Sequence, residues 1–255
     1  MAEEPLLATL ENGVATLTIN RPDKRNSMNG ALLQAFDDWF SNPPEEARVV
    51  ILHGEGGHYC AGLDLSEAEQ KDAEGIMRHS RWWHSVMDKV QFSGLPVVSA
   101  MTGAVIGGGL ELATATHVRV AEPSVMFQLP EGRRGIFVGG GATVRVGRIL
   151  GADRMTEMML TGRKYGAEES VSLGLAHYAV GEGEALGKAR ELASTIAENA
   201  KLCNYVMIHA ISRIEDMSKQ DGLFTESMCA ALTQTSPDAF EGLRAFLEKR
   251  APNFR

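Results

Sequence analysis

Cysteine is scarce in this chain of 255 residues. The three cysteines, Cys60, Cys203 and Cys229, lie far apart and form no Cys-x-x-Cys pair, so the sequence predicts neither a zinc knuckle nor a disulfide framework. The seven histidines include no His-Glu-x-x-His or similar ligand spacing. We therefore expect a reducing compartment and no bound metal.

Basic charge and long apolar runs are also lacking. The formal net charge is −8, which argues against a surface that follows nucleic-acid phosphates. No stretch approaches the roughly 20 uninterrupted apolar residues that span a bilayer. The first ten residues contain two acids and a proline, unlike a secretory signal or a transit peptide. We expect a cytoplasmic protein that binds neither nucleic acid nor membrane, in which a local basic patch would meet any polyanionic ligand.

The composition is that of a folded protein, with 44% hydrophobic and 23% charged residues. Strand-like runs at 6–10, 14–19, 48–53, 96–101, 117–121 and 175–180 alternate with helical patterns at 28–40, 142–150 and 152–160, the first capped by Ser27. This order predicts an α/β architecture with largely parallel strands. After about Gly183 the strand signals stop, and four helical stretches form a cap with many apolar residues.

Glu111 is the most informative single residue. With histidine counted as neutral, it is the only charged side chain between Val90 and Val118. A buried, unpaired carboxylate is costly or has a raised pKa, so its presence in an apolar segment favours a chemical role. The alternative is a first-turn glutamate that the helix dipole stabilises.

Three glycines at 107–109 open the same helix. Their backbone N–H groups and the helix dipole suit a developing negative charge, although a tight strand-to-helix turn would use the same residues. No Lys-Ser/Thr follows and Gly-x-Gly-x-x-Gly is absent, so an oxyanion site is favoured over a phosphate cradle. A second glycine-bearing turn at 57–65 follows the strand at 49–52, and would end at the same sheet edge.

Two segments together resemble the enoyl-CoA hydratase/isomerase family, the crotonases. The first is Cys-Ala-Gly-Leu-Asp-Leu at 60–65 and the second is Gly-Gly-Gly-Leu-Glu-Leu at 107–112. The resemblance continues through 127–131 and 135–143 and covers about residues 7–254. It implies a crotonase-type spiral of repeated ββα units over residues 1–195. It also implies a helical C-terminal region, residues 196–255, that builds a homotrimer or a dimer of trimers.

The resemblance also implies the chemistry. The amides of Leu63 and Gly108 would bind the carbonyl oxygen of an acyl-CoA thioester. Glu111 would orient and deprotonate water, and Glu131 would protonate C2. Without the family, Glu131 is an acid beside two arginines and is more typical of an exposed ion pair. Coenzyme A enters as part of the substrate, and no prosthetic group is expected.

Contacts to coenzyme A are implied at both ends of the chain. Arg21, Lys24 and Arg25, with Ala61 and Asp64, fall where the family contacts the cofactor moiety. Near the C terminus, Phe246 and Lys249 match residues that reach the coenzyme A of a neighbouring subunit. Without the family, the alternative for Arg21, Lys24 and Arg25 is a solvated charged turn, and the alternative for Phe246 and Lys249 is a core aromatic and a helix-end cation.

The acyl pocket is predicted to include Trp82, Trp83, His84, Phe137 and Gly139. A similar Trp-Trp-His occurs in aryl-CoA dehalogenases of the family, which have an aspartate nucleophile and a tryptophan where this chain has Gly139 and Glu131. Covalent dehalogenation is therefore not expected, and His84 is predicted to line or support the pocket rather than react.

Three functions remain open at this point. Both glutamates favour enoyl-CoA hydratase. The alternatives are another enolate-forming reaction, by a Δ3,Δ2-enoyl-CoA isomerase or a hydroxycinnamoyl-CoA hydratase-lyase, and a crotonase-fold binding protein without turnover.

Overall fold

The computed structural model of the chain describes residues 4–67 and 72–254. Its strands are β1 Leu6–Glu11, β2 Val14–Ile19, β3 Val49–Gly54, β4 Val97–Met101, β5 Ala104–Ile106, β6 Val118–Ala121, β7 Met126–Gln128 and β8 Tyr178–Ala179. Its helices are α1 Gly30–Ser41, α2 Ala73–Phe92, α3 Gly108–Ala115, α4 Ala142–Leu150, α5 Ala152–Thr161, α6 Ala167–Ser172, α7 Ala185–Ala197, α8 Lys201–Ile214, α9 Lys219–Gln234 and α10 Pro237–Glu248.

The chain starts with the predicted hairpin. β1 and β2 pair antiparallel, and Glu11 lies opposite Val14. The two residues between them, Asn12 and Gly13, both have positive φ, at 51° and 79°. A two-residue turn of this hand matches the twist of the strands that it joins.

The main sheet has the order β1-β2-β3-β4-β6-β8, and every pair after the first hairpin is parallel. A second sheet pairs β5 with β7 in parallel, and Cys60 bridges to Val105 of β5. The segments β4-β5-α3 and β6-β7-α4 therefore repeat one ββα pattern. The predicted α/β fold of ββα units with a helical C-terminal region is confirmed.

Both faces of the main sheet are covered, which explains why its inner strands are continuously apolar. On one face lies the larger core. On the other, Ala185, Ala189 and Ala193 of α7 pack against strand residues such as Ile51 and Val98. Because α7 packs on the sheet and ends at Ala197, the predicted boundary near residue 195 falls close to its end; the division into two domains stays a prediction.

Helix α1 begins later than predicted, and Ser27 is not its cap. The cap is Asn29, whose side chain accepts a hydrogen bond from the Leu32 amide. Met28 cannot be helical because it forms a parallel bridge with Leu63. The three-residue strands β5 and β7 were not predicted, and the strand expected at 175–180 is only Tyr178–Ala179.

Helices α8, α9 and α10 expose large apolar side chains. Ile211, Phe224, Phe240 and Phe246 are each more than half exposed, which is unusual for a surface that stays in water. Across the described ranges, no helix combines the length and the apolar character needed to cross a membrane.

Candidate active site

A cavity of about 220 Å³ lies where the 61–65 turn, α2, the start of α3 and the 131–140 segment meet. Leu63, Gly108, Glu111, Glu131 and Gly139 all line it. The structure thus brings both predicted amide donors and both predicted glutamates to one space. Most of the remaining lining is apolar, so charge inside the cavity is poorly solvated.

Backbone pairing holds the two glycine turns together. Cys60 bridges to Val105, and the Ile106 amide donates to the Cys60 carbonyl at 3.1 Å. At Gly62, where φ is +90°, an added β-carbon would lie 2.6 Å from the Ile106 oxygen and 3.1 Å from the Gly108 nitrogen. Glycine is required there because nothing larger fits between the turns.

The amides of Leu63 and Gly108 remain available as donors. The Met28 carbonyl accepts a hydrogen bond from the Asp64 amide, and the Met28 amide donates to the Gly62 carbonyl. Because N–H groups alternate in direction along an extended segment, the N–H of Leu63, between these two residues, points away from Met28. Gly108 is the first residue of α3, where N–H groups have no partner inside the helix. Within residues 4–67 and 72–254, neither amide donates to a backbone carbonyl outside its own helix or strand.

Glu111 is a buried acceptor of two backbone N–H groups. The residue is only 4% exposed. Its Oε1 accepts hydrogen bonds from the Gly140 amide at 2.8 Å and from the Ala142 amide at 3.1 Å. Burial raises the pKa of Glu111, while these amides and the charge of Arg145 oppose the rise. The donors fix the carboxyl group and favour its ionised form.

Glu131 is also buried, but it lacks the pair of amide donors that hold Glu111. It begins a short 3₁₀ turn that ends at Arg134 and is 8% exposed. Its buried Oε2 has no hydrogen-bond partner among the described residues. Burial raises the pKa of Glu131 to about 7, and the nearby charge of Glu111 adds to the rise. A carboxyl group with this pKa can hold or release a proton near neutral pH.

One face of α2 forms the pocket wall. Ile76, His79, Ser80 and Trp83 line the cavity at helical spacing, and the indole N–H of Trp83 donates to Nε2 of His79 at 3.0 Å. Trp83 is buried and packs so closely on Gly108 that an added β-carbon there would lie 2.7 Å from the indole. The tryptophan therefore fixes the width of the cavity beside a predicted amide donor.

Two predicted pocket residues lie outside this wall. Trp82 packs against the core and His84 lies beside Ser80, and neither lines the cavity. A helix turns by about 100° per residue, so neighbours of Trp83 point elsewhere. Gly139 and Phe137 do line the cavity, Phe137 although it is 69% exposed. The acyl pocket itself stays a prediction.

The charged residues predicted to contact coenzyme A gather near the 61–65 turn. Arg21 forms an ion pair with Asp64 at 2.9 Å, Lys24 donates to Ser66 at 3.2 Å, and the Arg25 carbonyl accepts from the Ala61 amide. Arg21 and Asp64 largely neutralise each other, which leaves Lys24 and Arg25 as the exposed cations of the cluster. Of the predicted contacts in this cluster, only Ala61 lines the cavity.

Phe246 and Lys249 lie on or just after α10, away from the cavity lining. Phe246 is 79% exposed, and Lys249 has a left-handed backbone that ends the helix. Phe246 is therefore no core aromatic in this chain. The predicted contact with a neighbouring subunit's ligand stays a prediction.

The contributors that were not predicted from the sequence include the Gly140 and Ala142 amides, Ile76, His79 and Ser80. Helical spacing is a signal for three of them, because Ser80, His79 and Ile76 lie three, four and seven residues before Trp83 and so share its face of the helix. No sequence signal shows that the 140–142 amides turn toward Glu111. Over the described part of the chain, no group of three or more His, Cys, Asp or Glu side chains is arranged to hold a metal ion.

Comparison with known proteins identifies the family. The family model for enoyl-CoA hydratase/isomerase matches residues 9–255. The enoyl-CoA hydratase EchA19 of Mycobacterium tuberculosis is 34% identical over 98% of this chain and 99% of its own length. The 2,3-dehydroadipyl-CoA hydratase of Escherichia coli is 30% identical over 98% of each chain.

Solved structures agree. A protein from Rhodopseudomonas palustris with a provisional enoyl-CoA hydratase name has 46% identity and a TM-score of 0.94, covering 96% of this chain and 95% of that one. The enoyl-CoA hydratase of Bacillus anthracis has 31% identity and a TM-score of 0.92 over 98% of each chain. The fold, the matched sequence and these relatives agree, and the chain belongs to the enoyl-CoA hydratase/isomerase family, the crotonases.

Proposed function

We propose that this protein is an enoyl-CoA hydratase, which adds water to a trans-2-enoyl-CoA and gives the 3-hydroxyacyl-CoA. The observation that carries the proposal is the pair of buried carboxyl groups, Glu111 and Glu131, on one small cavity. Syn addition of water needs one group that accepts a proton and one that donates a proton on the same side of the double bond. The hydratase names of the relatives support the same reaction.

The Leu63 and Gly108 amides are proposed to hold the thioester carbonyl oxygen. When water attacks C3, negative charge moves onto this oxygen and an enolate forms. Two N–H donors, one in the 61–65 turn and one at the start of α3, stabilise that charge, and the loss of one such donor in other enzymes costs roughly 2.7–4 kcal/mol of barrier. The apolar lining strengthens the effect because little water competes.

The two glutamates then divide the proton transfers. Two carboxyl groups close together in a buried site share one proton, since both cannot easily ionise. The charge is better held on Glu111, whose Oε1 accepts two amides, so Glu131 carries the proton. Glu111 takes a proton from water as its oxygen bonds to C3, and Glu131 delivers its proton to C2. Proton exchange with water restores the pair.

Coenzyme A is proposed to lie over the exposed cations of the cluster, Lys24 and Arg25, at the mouth beside the 61–65 turn. This agrees with an acidic protein that binds a polyanionic ligand through a local basic patch. The exposed apolar faces of α8–α10 support a homotrimer or a dimer of trimers, in which Phe246 and Lys249 would reach a neighbour's coenzyme A. We further propose a cytoplasmic location.

The proposal is tested with the purified chain and a panel of enoyl-CoA substrates that differ in acyl length and include an aromatic acyl group. Hydration removes the absorbance of the conjugated thioester, and chromatography identifies the 3-hydroxyacyl product. We expect turnover of at least one substrate and its loss in Glu131→Gln. Flat traces over the whole panel would contradict hydratase function. Conversion of a 3-enoyl-CoA that survives Glu111→Gln would instead indicate an isomerase.

A further inference from the structure

One peptide group connects α2 to Glu111. The Ser80 hydroxyl donates to the Gly139 carbonyl oxygen with an O···O distance of 2.6 Å. The Gly140 amide donates to Glu111 Oε1 at 2.8 Å. The Gly139 C=O and the Gly140 N–H are the two ends of the same planar peptide unit. Ser80 therefore holds one end of the group whose other end holds the carboxylate.

This peptide needs an external anchor. Residues 139–141 are all glycine, so no side chain restricts rotation of the peptide plane. If the plane turned over, it would present the carbonyl oxygen to Glu111 Oε1 in place of the N–H. The C=O and N–H of a trans peptide point in opposite directions, so an anchor on the oxygen aims the N–H at the carboxylate.

We propose that Ser80 is a positioning residue that fixes the Gly139–Gly140 peptide so that its amide holds Glu111 in place for proton transfer. The inference rests on the proposed hydration only for its kinetic consequence, because the contact itself is a feature of the fold. It also gives α2 a role beyond that of an apolar wall.

His84 supports the same contact. Its Nε2 lies 3.4 Å from Ser80 Oγ, one helical turn further along α2. The single hydroxyl proton of Ser80 is directed at the Gly139 oxygen, so a hydrogen bond in this second contact requires the His84 tautomer that carries a proton on Nε2. The His84 imidazole thus lies against the Ser80 hydroxyl group and limits its rotation.

Ser80→Ala tests the proposal, with Ser85→Ala as the matched control because Ser85 is exposed on the same helix. The loss of one hydrogen bond to the anchored peptide predicts a fall in kcat of about 3- to 10-fold, with KM changed by less than about twofold. The acidic limb of the kcat profile should move to higher pH, because Glu111 loses part of a donor that favours its ionised form. Ser80→Thr keeps a hydroxyl donor and should restore most of kcat.

A crystal structure of Ser80→Ala provides a readout that does not depend on activity. We expect the 139–140 peptide to be rotated or in two orientations, and the Gly140 N to Glu111 Oε1 contact to be lengthened. An unchanged peptide together with an unchanged pH profile would overturn the proposal, as would an equal loss of kcat in Ser85→Ala. If the unaltered protein hydrates no substrate, the proposed function fails, while the peptide orientation still decides the role of Ser80.

Discussion

Glu111 and Glu131 line one cavity but have different hydrogen-bond partners. Glu111 Oε1 accepts two backbone amides, whereas Oε2 of Glu131 is buried without a partner in the described structure. Burial raises the pKa of both carboxyl groups, but only Glu111 has a pair of backbone amides that oppose the rise and favour its ionised form. This difference is the physical basis for assigning them the roles of base and acid.

Replacing either glutamate with glutamine should remove most hydration. Glutamine is nearly the same size but can neither accept nor deliver the proton, and proton transfer by a positioned group contributes roughly 10²- to 10⁴-fold. We expect kcat to fall within that range for Glu111→Gln and for Glu131→Gln. Because the two act on one reaction, the double variant should lose less than the product of the single losses. The exposed Glu46 provides the control variant, Glu46→Gln.

Glu131 should also affect how stability depends on pH. Its pKa is about 7 in the folded chain against 4.5 in the reference state, so the folded protein keeps a proton that the unfolded chain has released. The stability contributed by the protonated form is complete below about pH 4.5 and is lost as the pH rises to about 7. Denaturant titrations should show a steeper fall of the free energy of unfolding over this interval in the unaltered protein than in Glu131→Gln. The expected difference is on the order of 3 kcal/mol, and parallel curves would contradict the raised pKa.

Gly140→Ala should displace Glu111. An added β-carbon would lie 2.4 Å from Glu111 Oε2 and 2.9 Å from the Trp83 ring, so the carboxyl group or the loop must move. We expect loss of nearly all hydration and destabilisation of about 1–3 kcal/mol, as for other overpacked sites. Gly187→Ala is the control, since no atom lies within 4 Å of its added β-carbon, and it should keep full activity. Normal activity in Gly140→Ala would show that Glu111 does not need its observed position.

Trp83 and Trp82 form a matched pair for acyl selectivity. Trp83→Phe enlarges the cavity and removes the donor to His79, so bulkier acyl groups should gain relative to short ones. A change of about 10-fold in the ratio of kcat/KM values fits the 1–3 kcal/mol that a small change in an apolar pocket contributes. Trp82→Phe should alter this ratio far less, because Trp82 packs against the core outside the cavity lining. Equal shifts in both variants would mean that Trp83 does not set the acyl pocket.

Much of the fold was predictable because inner strands of a parallel sheet must be apolar on both faces. An apolar run such as the one within Val49–Gly54 therefore indicates an inner strand from the sequence alone. The three-residue strands β5 and β7 carry no such signal, because three residues are too few to show the apolar pattern of a strand. The cap of α1 was misplaced because Ser27 is as good a cap as Asn29, and only the distant bridge from Met28 to Leu63 excludes it.

The glycine turns and Glu111 of the candidate site could be predicted from the sequence more readily than the side chains that line its cavity. Glu111 stands out as a lone charge in an apolar segment, whereas Glu131 was found only through the resemblance to crotonases. The sequence does not give the rotation of α2 about its axis, so it could not show that Trp82 and His84 lie outside the cavity lining. The Ser80–Gly139 contact joins residues 59 positions apart, and no local pattern predicts it.

The central claim is that the Leu63 and Gly108 amides share one carbonyl oxygen, with Glu111 and Glu131 beside the adjacent carbons. The most direct measurement is a crystal structure with an unreactive acyl-CoA analogue that keeps the thioester carbonyl group. We predict that the carbonyl oxygen lies within about 3.1 Å of both amide nitrogens, and that both carboxyl groups reach C2, C3 or the water between them. A carbonyl oxygen bound elsewhere, or either glutamate turned away from these carbons, would contradict the account.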